Sequence, residues 1–146
     1  MISGLSHMTF IVADLDRSER LWVEGLEARK IYDSGKAGFS LSPERFFLLG
    51  QGAEPLWIAL MEGAPLPERS YNHVAFKIED AELEACQARL AHLGVDMREG
   101  RSRVAGEGRS LYFHDFDNHL FELHTGTLEQ RLARYAAGQH GRNVPS

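Results

Sequence analysis

The stretch His7-Met8-Thr9-Phe10-Ile11-Val12-Ala13-Asp14 decides the fold, because it recurs as His73-Val74-Ala75-Phe76-Lys77-Ile78-Glu79-Asp80. Both copies follow the pattern H-x-x-F-x-[VI]-x-D, and each predicts a short strand that begins at a histidine and runs into a helix. Repeated units of this kind usually pack their sheets together. We therefore expect two similar halves with a matched histidine in each, which points to a metal ion held between them.

Each histidine strand is followed by signals for one helix and then for several strands. The first helix is predicted to begin after Asp14 or Asp16 and the second after Asp80, since aspartate is a favoured N-cap residue. Apolar residues at helical spacing carry these helices to about residues 26 and 93. Further strands are predicted at 30–33, 38–41, 45–49 and 56–61 in the first half, and at 95–97, 110–114 and 119–124 in the second.

The fold class that follows is α+β, with two paired βαβββ modules. We place the first module at residues 1–62 and the second at 70–126, because residues 62–69 between them contain one glycine and two prolines. Thr127 and Gln130 predict a capping box for a last helix at 127–137. Residues 138–146 lack periodicity and are expected to form a loose tail, so one domain spans 1–137. The modules can pair within one chain or be exchanged between two chains.

Composition narrows the class of protein. The 146 residues are 43% hydrophobic and 25% charged, which is typical of a soluble globular domain. No apolar run approaches the ~20 residues that cross a bilayer, and no secretory signal is visible. The single cysteine excludes an intrachain disulfide and fits the cytoplasm. A formal net charge of −5 argues against nucleic acid as a partner. We expect a cytoplasmic protein without a nucleic-acid or membrane partner.

A third candidate metal ligand, Glu122, lies in the late segment L-F-E-L-H at 120–124. Alternation puts Glu122 and His124 on one face of the predicted strand, and the phenylalanine and leucine between them on the other. Two imidazoles and one carboxylate bind divalent first-row metals and leave positions open for a substrate. Taken alone, each of these residues also fits a structural role. For His124 we favour a structural role over that of a residue that hydrogen-bonds to a metal ligand. The matched pair His7 and His73 is what favours the metal.

Several segments resemble the fosfomycin-resistance proteins of the vicinal oxygen chelate superfamily. They are the two H-x-x-F strands, G-E-G-R-S-L-Y-F at 106–113 and D-N-H-L-F-E-L-H at 117–124. The resemblance covers about residues 1–135 and implies the superfamily's paired βαβββ (glyoxalase-like) fold. One branch of that family adds glutathione to the epoxide of the antibiotic, another adds other thiols, and a third adds water. The segments at 42–48, 71–73 and 126–132 are most similar to the water-adding branch.

The resemblance implies roles for individual residues. His7, His73 and Glu122 correspond to the metal ligands, with Mn²⁺ as the expected ion and other divalent first-row metals as alternatives. In the family the first module of one subunit pairs with the second module of its partner, so a homodimer with composite sites is implied. Glu44 corresponds to the general base of the water-adding branch. The residues expected to contact the substrate are Thr9, Trp57, Arg101, Arg103, Ser110, Tyr112 and Arg131. Either Arg101 or Arg103 can replace the charge of a lysine found in the thiol-transferring branch.

The implied activity is metal-dependent hydration of a small anionic phosphonate epoxide to a diol, which gives resistance to the antibiotic. The residue pattern by itself leaves other interpretations open. Glu44 follows a proline in a polar stretch, where it also fits a solvated carboxylate. Thiol transfer to the same epoxide uses the same ligands. Another activity of the superfamily, such as that of a dioxygenase or isomerase, or a metal-free binding module, also fits the fold.

Overall fold

Two four-stranded sheets, one from each half of the sequence, form the framework of the chain. The computed structural model describes residues 1–36, 41–99 and 108–142. The first sheet contains β1 (His7–Val12), β2 (Arg29–Asp33), β3 (Glu44–Leu49) and β4 (Leu56–Glu62), and the second contains β5 (His73–Lys77), β6 (Asp96–Glu99), β7 (Ser110–His114) and β8 (Leu120–His124). The strand orders are β1-β4-β3-β2 and β5-β8-β7-β6, so the halves have the same topology.

The predicted βαβββ order is confirmed in both halves. The histidine strand of each half pairs in parallel with the last strand of that half, and all other pairs are antiparallel. The strand predicted at 38–41 lies outside the described residues except for Leu41, which is not part of a strand. A segment at 63–72 joins the two sheets.

The first two helices follow the histidine strands, as expected. Asp14 caps α1 (Leu15–Arg20) by accepting a hydrogen bond from the Arg17 N–H at 3.1 Å, and one turn of π-helix (Leu21–Gly25) extends it. A short 3₁₀ turn (Asp80–Glu82) leads into α2 (Leu83–His92). The prediction that Asp80 caps the second helix is wrong. Its carboxylate instead accepts from Arg109 Nε at 2.7 Å, because a guanidinium offers it a stronger, charged donor.

The last helix, α3 (Leu128–Arg142), is longer than predicted. Its capping box is confirmed: the Gln130 N–H donates to Thr127 Oγ1 at 3.1 Å, and the Thr127 N–H donates to Gln130 Oε1 at 2.9 Å. The loose tail predicted from residue 138 is wrong for 138–142, which continue the helix. A single glycine at 138 lowers helix stability by only about 1 kcal/mol, too little to end a helix by itself. Residues 143–146 lie outside the described part of the chain.

An aromatic cluster joins the two halves into one core. Trp22 of the first half lies 5.5 Å from Phe121 and 6.1 Å from Phe76, measured between ring centroids. Phe10 on β1 lies 5.2 Å from Phe121. Phe121 is fully buried. The core therefore lies between the helices and one face of each sheet.

No helix or sheet among residues 1–36, 41–99 and 108–142 covers the other face of either sheet. On β1 the exposed residues are His7, Thr9 and Ile11, whereas Val12 is buried in the core and Phe10 packs against it. β5 shows the same alternation, with its histidine again exposed. We call these two surfaces the open faces of the sheets. Among the described residues, no helix is long and apolar enough to cross a membrane.

Candidate metal centre

Two of the three predicted ligands meet on the open face of the second sheet. Because β5 and β8 are parallel neighbours, His73 Nε2 lies 3.0 Å from Glu122 Oε2. The other ring nitrogen, Nδ1, lies 2.7 Å from the Tyr71 carbonyl oxygen, to which its N–H donates. Such a bond fixes the tautomer and the ring orientation, as it does for most metal-bound histidines. His73 therefore presents Nε2 to the space beside the carboxylate.

The Glu122 carboxylate is buried and needs a compensating charge. Its side chain is only 7% exposed, and the Ser110 hydroxyl donates to Oε1 at 2.6 Å. His124 Nδ1 lies 2.8 Å from Ser110 Oγ and 3.4 Å from Glu122 Oε1. A buried carboxylate is stable when it is paired or binds a metal. Two ligands about 2.1 Å from an octahedral ion lie about 3 Å apart, so the His73–Glu122 pair fits a divalent metal.

Two tyrosines border this pair. The hydroxyls of Tyr71 and Tyr112 are 3.2 Å apart, and the Tyr112 ring lies 5.5 Å from the His73 ring. Burial, the Tyr71 hydroxyl and the charge of Glu122 together raise the pKa of Tyr112 well above its ordinary value. Tyr112 is therefore a neutral hydroxyl that can donate to an anion. Sequence reasoning missed Tyr71 as a site residue, because it precedes the strand and belongs to no periodic pattern.

The third predicted ligand, His7, lies on the open face of the first sheet. Its Nδ1 is 3.0 Å from Ser6 Oγ, and its ring lies 4.3 Å from the Trp57 ring, which is the neighbour given by the β1–β4 register. Thr9 is two residues further along the same face. Trp57 Nε1 is buried and has no hydrogen-bond partner among the described residues.

The three predicted ligands do not come together within one chain. In the described ranges, no three His, Cys, Asp or Glu side chains are grouped so as to hold a metal ion. The two sheets also differ at the decisive position: Glu122 lies opposite Ala75 in the second sheet, whereas Ala59 lies opposite Thr9 in the first. The first sheet therefore carries a matched histidine without a matching carboxylate.

Glu44 is the first residue of β3, which corrects its placement in a polar loop. Sequence reasoning missed this because Pro43 reads as a turn, whereas the strand begins at the residue after it. Glu44 lies opposite Met61, which lies opposite Ile11, and residues paired in this way share a face of the sheet. The carboxylate therefore belongs to the same open face as His7. Its side chain has no hydrogen-bond or ion-pair partner among the described residues.

The remaining predicted substrate contacts are not assembled in the single chain. Arg131 is an exposed residue of α3. Its side chain makes no hydrogen bond or ion pair within the described part of the chain. Arg101 and Arg103 lie outside the described residues. One group of site residues thus comprises His73, Glu122, Ser110 and Tyr112, and a second comprises His7, Thr9 and Trp57, with Glu44 further along its face.

Comparison with known proteins places the chain in a family. The Glyoxalase/Bleomycin resistance protein/Dioxygenase superfamily matches residues 4–123. Fosfomycin resistance protein FosX from Mesorhizobium japonicum is 57% identical over 138 residues, which are 94% of this chain and 96% of that protein. Metallothiol transferase FosB from Staphylococcus saprophyticus is 37% identical over 139 residues, covering 92% of this chain and 85% of that one.

A solved structure extends the comparison. The crystal structure of a substituted form of FosX from Listeria monocytogenes, complexed with Mn(II) and 1S,2S-dihydroxypropylphosphonic acid, matches with a TM-score of 0.80 and 52% identity. The match covers 92% of this chain and 99% of that one. The chain therefore belongs to the Glyoxalase/Bleomycin resistance protein/Dioxygenase superfamily and, within it, to the family of the fosfomycin resistance proteins FosX. The predicted family and the predicted α+β fold class are confirmed.

Proposed function

We propose that the chain catalyses the Mn²⁺-dependent addition of water to the epoxide of fosfomycin, and that the diol product no longer acts as an antibiotic. The observation that carries this proposal is the His73–Glu122 pair beside the Ser110 and Tyr112 hydroxyls. Identity above 50% to FosX supports it, as does the FosX complex with Mn(II) and a dihydroxypropylphosphonic acid. A dihydroxypropylphosphonic acid is what the addition of water to this epoxide yields.

In this proposal the metal is held by His73 and Glu122 of one copy and by His7 of a second copy. His7 Nδ1 lies 3.0 Å from Ser6 Oγ, and its Nε2 has no hydrogen-bond partner among the described residues. Its exposed place on the first open face makes it available to a partner chain. When bound, Mn²⁺ supplies Lewis acidity at the oxirane oxygen and offsets the buried charge of Glu122.

The two copies form a homodimer. The open face of the first sheet of one copy meets the open face of the second sheet of the other copy. The separation of His7 from the other two ligands within one chain supports this arrangement. Exposed apolar side chains on the first sheet support it too: Ile11 is 38% exposed and Tyr32 is 37% exposed. Burying such side chains contributes about 25 cal/mol per Å² of apolar area, which favours association.

The substrate is a small phosphonate anion, so the site needs donors and positive charge within an acidic protein. The Tyr112 hydroxyl donates to the phosphonate and stays protonated because its pKa is raised. The Ser110 hydroxyl, which donates to Glu122 in the single chain, would turn its proton to the phosphonate once a metal ion binds the Glu122 carboxylate. Arg131 and one of Arg101 and Arg103 supply the charge. The remaining contacts with the substrate come from Thr9 and Trp57.

Glu44 acts as the general base. Its carboxylate takes a proton from a water molecule as the water oxygen bonds to an epoxide carbon. The carbon–oxygen bond of the ring breaks at the same time, and the released oxygen takes a proton from solvent to complete the diol, while Glu44 returns its proton to solvent. A base must reach the proton that it removes, so a carboxylate on the open face with no hydrogen-bond or ion-pair partner among the described residues suits this task.

We propose that the protein works in the cytoplasm and has no nucleic-acid partner. The single cysteine, Cys86, is a free thiol and is buried. This state agrees with a reducing cytoplasm, where the protein meets the antibiotic. A net charge of −5 disfavours nucleic acid as a partner.

Thiol addition to the same epoxide is the second candidate, because the chain is also 37% identical to a metallothiol transferase. Phosphorus NMR of the products from fosfomycin separates the two activities. The protein would be assayed with and without Mn²⁺, and with and without glutathione. We expect the diol to form whenever Mn²⁺ is present, at the same rate with or without glutathione. A thiol adduct as the main product would favour the second candidate, and an unchanged substrate with Mn²⁺ would refute both.

A further inference from the structure

We infer that Ser34 and Arg45 are positioning residues, which hold the backbone beside Glu44 so that its carboxylate stays on the open face. The inference rests on the proposed role of Glu44 as the general base. The Glu44 side chain itself has no hydrogen-bond or ion-pair partner among the described residues. Its place therefore depends on how firmly the start of β3 is held.

Ser34 binds both main-chain polar groups of Glu44. Its Oγ accepts from the Glu44 N–H at 2.9 Å, and its own N–H donates to the Glu44 carbonyl oxygen at 3.0 Å. The hydroxyl proton is donated to the Gly35 carbonyl oxygen at 3.2 Å. Ser34 is only 8% exposed, so water does not readily replace these bonds.

Arg45 anchors the next residue of β3 on the opposite face. Its guanidinium donates to Glu19 Oε2 at 2.6 Å and to Asp16 Oδ1 at 2.8 Å, both on α1. Its Nε lies 3.1 Å from Asp33 Oδ2 at the end of β2, an ion-pair distance without a hydrogen bond. Two hydrogen-bonded carboxylates fix the direction of the planar guanidinium more firmly than a single one would. Successive strand residues point to opposite faces, so an Arg45 held on the helix side directs Glu44 to the open face.

Asp33 joins these two contacts into one network. Its Oδ2 faces Arg45, and its Oδ1 accepts from the Gly35 N–H at 2.9 Å, which closes the turn that contains Ser34. Gly35 has φ +56°, a conformation that other residues adopt at a cost. The turn and the guanidinium therefore hold the start of β3 from two sides.

The test uses Ser34→Ala and Arg45→Lys, assayed as intact dimers at saturating Mn²⁺. We expect kcat for hydration to fall by about 10- to 100-fold, because a displaced base no longer reaches the water. KM for fosfomycin and the Mn²⁺ affinity should not change. Ser34→Thr keeps the accepting hydroxyl and should retain most of the activity.

Matched controls separate positioning from general destabilisation. Ser18→Ala removes another buried hydroxyl, which lies on α1 and has no hydrogen-bond partner among the described residues. Arg89→Lys alters a half-buried guanidinium that contacts Gly25 and Glu27 in the helical layer. Both controls should keep the wild-type kcat.

The decisive comparison repeats both substitutions in a Glu44→Gln background. If Ser34 and Arg45 act through Glu44, they should cause no further loss of kcat there. An equal loss in both backgrounds, a loss shared by the controls, or a parallel change in Mn²⁺ affinity would overturn the inference. A wild-type rate for Glu44→Gln alone would instead refute the proposed base, and the two failures are thereby distinguished.

Discussion

Glu44→Gln is the substitution that separates hydration from thiol addition. The side chain keeps its size and polarity but cannot accept a proton. Because the Glu44 carboxylate has no partner among the described residues, the change should leave the free energy of unfolding within about 0.5 kcal/mol of wild type. The loss should fall on kcat for hydration, by about 10² to 10⁴, which corresponds to about 3–5 kcal/mol in the activation barrier.

The assay is the rate of diol formation at saturating Mn²⁺, followed by phosphorus NMR. Mn²⁺ affinity measured by calorimetry should be unchanged, since Glu44 is not one of the three proposed ligands. Any addition of thiol should survive, because a thiolate arrives without needing a base. A rate of diol formation near that of wild type would refute the reasoning, since another group, or none, would then activate the water.

Three further outcomes follow from the structure. His7→Ala, His73→Ala and Glu122→Ala should each abolish tight Mn²⁺ binding in calorimetric titration, and full affinity in any one would remove that residue from the ligand set. Burial raises the pKa of Asp117, so the folded chain binds this proton more tightly than the unfolded chain does. The stability gained from the protonated Asp117 is therefore complete below pH 3.8, and it is lost as the pH rises through the raised pKa of Asp117. Asp117→Asn keeps the oxygen that accepts a hydrogen bond from the Ala13 N–H at 2.8 Å but cannot titrate. Urea unfolding of this variant should therefore show a smaller fall in the free energy of unfolding than wild type as the pH rises through the raised pKa. A pH dependence equal to that of wild type would contradict this prediction. Phe121→Ala should lower the free energy of unfolding by about 3–5 kcal/mol in the same urea assay, because its ring is fully buried among four aromatic rings; a loss below about 1 kcal/mol would contradict this packing.

Local patterns predicted the fold because its main signals are local. The alternation in 120–124 placed Glu122 and Phe121 on opposite faces, and the capping box at Thr127 came from residues three apart. Two local predictions were wrong. Asp80 found a charged partner in Arg109, which is distant in the sequence. Residues 138–142 continue α3 although they lack the periodicity from which a helix is predicted.

The candidate site was predicted less completely, because its contacts span long distances in the sequence. The pairing of His73 with Glu122 came from symmetry and a family resemblance. The contacts of Tyr71 and Ser34 are made by hydroxyl and main-chain groups, which leave no periodic signal in the sequence. The separation of His7 from the other ligands depends on how the two sheets are arranged, which the order of strands along the chain does not determine.

The most direct test of the central claim is complementation between two inactive variants. His7→Ala and Glu122→Ala would be unfolded together and refolded so that subunits mix, and Mn²⁺-dependent diol formation would then be measured. Random pairing of equal amounts of the two variants makes half of the dimers mixed. If each site takes His7 from one copy and Glu122 from the other, each mixed dimer carries one intact site and one site that lacks both ligands. The account therefore predicts recovery of about one quarter of the wild-type activity. No recovery after mixing, with dimers present, would show that the ligands come from a single chain and would contradict the account.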